Sequence, residues 1–281
     1  MSVGSTWIER SFRAACEAEL LALKPGNVHL HADGHGMTAQ DFRLSAQVAA
    51  PCIARPGLGV GARILAATQA TRAACGQNTN LGILLLAAPL AAAAESRAGL
   101  DSILAGLTVE DAALAYRAIR LAAPGGLGRS DRHDVADEPT VTLLEAMRIA
   151  ADRDRIAWQY AHGFADVLRL GLPRLDGRLA AGWPESWAVT ATYLAFLATF
   201  PDSHIERKHG PAVAAQVRDR AAVLDRDLLA AADPSALEGR LLAFDRELKE
   251  RRINPGTSAD LTVASHFARA LAAGPADAIC Q

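Results

Sequence analysis

Leu81-Gly82-Ile83-Leu84-Leu85-Leu86-Ala87-Ala88-Pro89-Leu90-Ala91-Ala92-Ala93-Ala94 is the most apolar stretch of this chain, and its reading decides the fold. From Ile83 to Ala94 it carries no charge, yet it is too short and too rich in alanine to span a bilayer. It reads as a helix buried in a protein core. The polar run Gly76-Gln77-Asn78-Thr79-Asn80 leads straight into it. An amide buried without a partner costs roughly 1–3 kcal/mol, so Asn78, Thr79 and Asn80 either cap this helix or face a ligand at its amino end.

The rest of the chain follows the same pattern. Ala and Leu dominate, β-branched and aromatic residues are sparse, and the periodicity is helical, so the expected fold is all-α. Helix starts are marked by Thr38 ahead of Asp41, Thr108 ahead of Asp111, Thr140 ahead of an apolar-periodic run, and Asp233 ahead of Pro234. Each places a side-chain oxygen where it caps exposed N–H groups. Breaks fall at Pro25-Gly26, Pro56-Gly57, Pro124-Gly125-Gly126, Gly182-Trp183-Pro184, Pro201 and Pro255-Gly256. They divide the chain into about eight to ten helices of ordinary length. No polar linker or shift of composition marks a boundary, so one compact multi-helix domain is expected over 1–281.

A hydrophobic fraction of 51% supplies a sizeable core. With 29 Lys and Arg against 31 Asp and Glu, the formal net charge of −2 gives no electrostatic case for nucleic acid or an anionic membrane. Small-molecule partners are expected, with any phosphate met by local cations. Cys16, Cys52, Cys75 and Cys280 form no CxxC pair, which argues against a zinc site or a disulfide framework and fits reduced thiols in the cytoplasm. The amino terminus shows no basic segment followed by an apolar one.

Four clusters carry candidate chemistry. In Asn254-Pro255-Gly256-Thr257-Ser258-Ala259-Asp260 the chain breaks and restarts as a helix with an Asp one turn inside. The N–H groups of that first turn, with the Thr257 and Ser258 hydroxyls, suit phosphate oxygens, and Asp260 suits a divalent metal or a proton. The plainer alternative is an ordinary capped helix. Lys24-Pro25-Gly26-Asn27-Val28, followed by His29, His31 and His35, offers a cation for a phosphate, or a solvated lysine at a helix end. In Pro201-Asp202-Ser203-His204-Ile205-Glu206-Arg207-Lys208-His209-Gly210, a helix is expected to set Asp202 and Glu206 four apart on one face, able to share Mg²⁺, with Arg207 and Lys208 to neutralise a triphosphate. Asp134 and Asp137 are further candidate metal or substrate ligands in an acidic loop.

Other chemistries lack their residues. Gly125-Gly126-Leu127-Gly128-Arg129-Ser130 has no Gly-Lys-Ser/Thr ending, and Gly57-Leu58-Gly59-Val60-Gly61 has no strand before it, so neither a P-loop nor a dinucleotide fold is expected. There is no Gly-x-Ser-x-Gly elbow and no His-Glu-x-x-His helix.

Taken in order, these motifs resemble the triphosphoribosyl-dephospho-CoA synthase family, the helical enzymes of prosthetic-group synthesis for citrate lyase and malonate decarboxylase. Lys24-Pro25-Gly26, Gly34-His35 to Asp41-Phe42 and Ser45, Asn78-Thr79 with Gly82, Asp202 to Arg207, and Asn254-Pro255-Gly256 with Ser258-Ala259-Asp260 follow the family's order from about Glu19 to about Phe267. The chain departs at Asn80-Leu81, where the family has His-Lys, and over Asp134 to Thr140. With these departures it looks like the shorter branch found with archaeal-type one-carbon cofactor pathways.

The resemblance implies a cytoplasmic transferase that moves the 5-triphosphoribosyl group of ATP to the 2′-hydroxyl of dephospho-CoA and releases adenine. It implies Asp202 or Asp260 as base, and Mg²⁺ with Lys24, Arg207 and Lys208 on the triphosphate. Asn78 and Thr79 would position the sugar or base, with Asn27, Asn80, Asn254, Gly256, Thr257 and Ser258 as further substrate contacts. The expected metal ligands are Asp202, Glu206, Asp260, Asp134 and Asp137, and a homodimer is the expected assembly. The alternatives are a related ribosyl or phosphoribosyl transfer or nucleotide hydrolysis in one-carbon cofactor synthesis, or a nucleotide-binding protein without catalysis.

Overall fold

Side-chain oxygens start several of the helices, and left-handed residues end several of them. The computed structural model describes residues 3–30, 36–123 and 134–274. His31, Gly34, His35, the glycine-rich run at 125–130 and His133 lie outside those residues. The helices are α1 (Val3–Leu21), α2 (Ala39–Ile53), α3 (Val60–Cys75), α4 (Leu81–Ser96), α5 (Leu100–Ala105), α6 (Val109–Ala122) and α7 (Leu143–Ala150). They continue as α8 (Arg155–Ala161), α9 (Leu172–Ala180), α10 (Glu185–Thr199), α11 (Ser203–His209), α12 (Pro211–Ala230), α13 (Glu238–Glu250) and α14 (Gly256–Ala273). A π-helical turn (Val167–Gly171) leads into α9, and a 3-10 turn (Pro234–Leu237) leads into α13.

Among the described residues there is no strand, so the all-α expectation holds, but the fourteen helices exceed the expected number. The added breaks have a physical source. Arg97, Ala123, Phe164 and Arg252 adopt positive φ without being glycine, so these turns leave no mark in the sequence. Thr108 and Asp111 form the expected reciprocal cap of α6. The third expected start moves by two residues: Thr142, not Thr140, caps α7 in a box with Glu145. Asp233 caps the 3-10 turn as expected.

The chain divides into two compact units. The first comprises Met1–Ala15, Asp41–Phe164 and Phe267–Gln281. Here α3 packs against α4 and α6, and α7 against α8. Residues Ile83 to Ala91 of α4 are all buried, which bears out the core-helix reading over that stretch, while Ala92 to Ala94 are half-buried, and Pro89 lies inside the helix. An interior proline costs about 3 kcal/mol, comparable to the roughly 1.5–3 kcal/mol from burying one leucine, and Leu84 and Leu86 are both fully enclosed. At Gly61 a Cβ would lie 2.6 Å from the Asp111 backbone, and the Asp111 carboxylate accepts the Gly61 N–H at 2.8 Å. The glycine-rich run at 57–61 therefore serves a close helix crossing.

The second unit comprises Cys16–Gln40 and Ala165–His266. Its centre is α10, buried from Ala188 to Leu197 and packed against α9 and α12. Tyr193, Leu194, Leu197, Ile205, Phe244, Leu248 and Ile253 share its core. This core carries on its polar edge the segments around residues 24, 202 and 254.

Candidate active site

Lys24 follows the end of α1, where Pro25 and Gly26 turn the chain sharply. Gly26 has φ +83°, and a Cβ there would meet Leu248 and the Pro255 ring at 2.8 Å each. Only glycine fits both the backbone and the space. The Lys24 side chain is fully enclosed: its Nζ lies 2.7 Å from Glu19 Oε1, donates to the Val28 carbonyl, and reaches Asn27 Oδ1 at 3.4 Å. All three ammonium donors thus have protein acceptors. Asn27 passes the connection on, its Nδ2 donating to Asn254 Oδ1 at 2.8 Å. Burial pushes the Lys24 ammonium below its ordinary pKa and the Glu19 carboxyl above its own, each opposed by the other's charge.

A second buried cluster holds the other side of the same loop. Asp245 on α13 accepts the Gly26 N–H at 2.8 Å, lies 3.3 Å from His29 Nε2, and pairs with Lys249 at 3.1 Å. Burial acts to raise the Asp245 pKa, but the bonds from His29 and Gly26 and the charge of Lys249 outweigh it and leave it depressed. Burial also lowers the His29 pKa, against the attraction of Asp245. Tyr193 closes the loop, donating to the Pro25 carbonyl at 2.7 Å. Glu19, Asp245, Lys249 and Tyr193 escaped the sequence reading. An Asp and a Lys four apart on a helix look like any surface pair, and only the Glu19–Lys24 spacing held a hint.

Asp202 differs from expectation. It is the N-cap of α11 and not a member of its face, so it shares no side with the exposed Glu206, and the proposed carboxylate pair for Mg²⁺ is not formed. Its Oδ1 accepts from the His204 and Ile205 N–H groups at 2.9 and 3.2 Å. Its Oδ2 accepts both the N–H and the hydroxyl of Ser258 at 2.8 Å. The carboxyl is 0% exposed; burial raises its pKa, and the bonds from Ser258, Ile205 and His204 work against the rise. Thr257 meets the Ser203 hydroxyl at 3.0 Å. The Ser258 donors expected to face a phosphate are therefore already on a carboxylate.

Asp260 lies one turn into α14 and is half-buried, Arg207 is half-buried, and Lys208 is exposed. In the first unit, Asn78 Oδ1 accepts the Leu81 N–H at 3.2 Å and so caps α4, while Thr79 bonds the Ser45 hydroxyl. Asn80 is buried at the helix start. Asp134 forms a local turn with the Ala136 N–H at 2.8 Å, and Asp137 is exposed in that turn. Lys24, Asn27, Asn254, Asp202, Thr257 and Ser258 are thus brought into one connected region of the second unit, whereas Asn78, Thr79, Asn80, Asp134 and Asp137 belong to the first. Among the described residues no three His, Cys, Asp or Glu side chains cluster for a metal, and no helix is long and apolar enough to cross a membrane.

The model of the CitG family, ATP:dephospho-CoA triphosphoribosyl transferase, matches residues 5–277. No curated protein matches the chain. A crystal structure of a candidate triphosphoribosyl-dephospho-CoA synthase from Archaeoglobus fulgidus shares the fold, with a TM-score of 0.60 and 24% identity over 82% of this chain and 98% of that one. With the family model covering nearly its full length, this chain belongs to the ATP:dephospho-CoA triphosphoribosyl transferase family, a family of transferases.

Proposed function

We propose that this chain transfers the 5-triphosphoribosyl group of ATP to the 2′-hydroxyl of dephospho-CoA with release of adenine. The observation that carries the reading is the family match over 5–277, on a chain whose segments at 24–27, 202–203 and 254–258 join in one buried polar region. The acceptor 2′-oxygen bonds to C1′ of the ATP ribose as the bond from C1′ to adenine breaks. Adenine leaves with that electron pair and takes a proton from solvent, and the hydroxyl proton passes to a carboxylate. Positive charge builds on the sugar in the transition state, so a fixed carboxylate nearby both accepts the proton and offsets the charge.

Asp260 is the carboxylate proposed for that task, being half-buried one turn into α14. Arg207 and Lys208 are proposed to hold the triphosphate. Mg²⁺ commonly binds through one or two carboxylates, with substrate phosphates completing its shell, which suits a chain without a dedicated metal cluster among its described residues. It would neutralise triphosphate charge, with Glu206 as the proposed protein ligand. Asn80-Leu81 in place of His-Lys, with Asn80 buried at the start of α4, favours the shorter one-carbon branch and a related phosphorylated acceptor as the second reading. The protein is proposed to act in the cytoplasm as a homodimer, an assembly that sedimentation reads directly.

The test is adenine release from Mg-ATP with and without dephospho-CoA, followed by chromatography and mass detection. Acceptor-dependent adenine with an adduct of matching mass is expected. Adenine formed only with another phosphorylated acceptor would select the second reading, and ATP bound without any turnover would defeat both.

A further inference from the structure

We infer that Asp202 is a positioning residue: it supplies, from within the protein, the anion for the amino end of α14, and so fixes the first turn that presents Asp260. The inference rests on the proposed transfer reaction for its functional consequence and on geometry alone for its structural one. Helix α14 runs from Gly256 to Ala273, and the N–H groups of its first turn attract an anion. That anion is already present. Asp202 Oδ2 takes the Ser258 N–H and hydroxyl at 2.8 Å each, while Oδ1 takes the His204 and Ile205 N–H groups at 2.9 and 3.2 Å.

A carboxylate offers about four acceptor positions, and here four protein donors fill them. The side chain is also 0% exposed. It has neither room nor a lone pair for a metal ion or a substrate proton. The contact extends beyond Asp202. Ser203 Oγ meets Thr257 Oγ1 at 3.0 Å, and a Cβ on Gly256 would come within 3.1 Å of His204 Nδ1. Residues 202, 203 and 204 therefore face 258, 257 and 256 in strict succession, two helix starts meeting head to head around one negative charge. The charge lies between two positive dipole ends, which explains why a buried carboxylate is tolerated there. Asp260, two residues beyond Ser258, takes its place from this junction. Arg207, within the short helix that Asp202 caps, does so too.

The experiment compares Asp202→Asn, Ser258→Ala and the double variant by two readouts. The first is amide hydrogen exchange over residues 204–205 and 256–260 in the intact protein; the second is the pH profile of adenine release, split into kcat and KM for ATP. Asn at 202 keeps one acceptor oxygen for two sets of donors, so its N–H₂ meets N–H groups at one helix start or the other, donor against donor, and exchange over one of the two segments is expected to rise by about tenfold or more. Ser258→Ala should raise it less, and the double variant no further than Asp202→Asn alone, because both act on one junction. In Asp202→Asn, kcat should fall by about tenfold or more with KM for ATP little changed, while the acidic limb of the profile persists because another group is the base.

Unchanged exchange together with loss of the acidic limb would overturn the inference and make Asp202 the base. Additive exchange effects would overturn it too. Ser258→Ala removes one donor of four and carries both readouts if Asp202→Asn does not fold. If the wild-type protein releases no adenine, the transfer reading fails on its own, and the exchange result still decides the role of Asp202.

Discussion

At the scale of single residues, the same side chain means different things by its surroundings. Lys24 is a cation in a loop that resembles a substrate-binding motif, yet its ammonium is enclosed by Glu19, the Val28 carbonyl and Asn27. Removing one partner of a buried pair strands the other charge, so Lys24→Met should cost about 3–5 kcal/mol of stability in urea unfolding. Replacing both partners, as Lys24→Met with Glu19→Leu, should recover most of that loss. A phosphate-binding lysine would instead weaken ATP binding at constant stability. Asp260 makes the opposite case. Asp260→Asn should leave the midpoint of unfolding near the parent's while lowering kcat for adenine release by about 100-fold or more, as expected for a proton acceptor.

At the scale of elements, caps and close approaches set where helices start and how they meet. The Thr108–Asp111 box is local, and Thr108→Ala should cost about 1 kcal/mol, read as a shift in urea midpoint at constant slope. Gly26 is more demanding, because its positive φ coincides with Leu248 and Pro255 at 2.8 Å from any Cβ. Gly26→Ala should cost about 1–3 kcal/mol from backbone strain, with overpacking added. It should also loosen the Asn27–Asn254 bond, which a faster exchange of amides near residue 254 would reveal. The fourteen helices among the described residues outnumber the breaks written in Pro and Gly for a related reason. Turns at Arg97, Ala123, Phe164 and Arg252 use left-handed backbone that the surrounding packing imposes on ordinary residues.

At the scale of the whole molecule, buried ionisable groups make stability depend on pH. Burial depresses the His29 pKa below its ordinary 6.5, despite Asp245, with Lys249 and Lys24 also opposing its charge. The unfolded chain therefore binds a proton as pH falls through 6.5, while the folded chain resists it. Stability from this group is fully present above pH 6.5 and is lost below it, at up to about 1.4 kcal/mol per pH unit until the folded pKa is reached. Urea midpoints between pH 7.5 and 5.5 should decline, and His29→Gln should flatten the decline. A slope unchanged by that variant would show that other groups carry it.

The sequence by itself determined the helical class, the buried character of Ile83 to Ala91, the cap at Thr108, the start of α14 after Pro255 and the membership of a transferase family. These features are legible because propensity, periodicity and motif order reside in neighbouring residues. Tertiary structure alone decided what the charged motif residues do. Asn27 meets a partner 227 positions away, Gly26 one 219 away and Asp202 one 56 away. Whether a carboxylate or an ammonium faces water, a ligand or protein donors and acceptors depends on which distant segments pack beside it, and desolvation then fixes its charge and its chemistry.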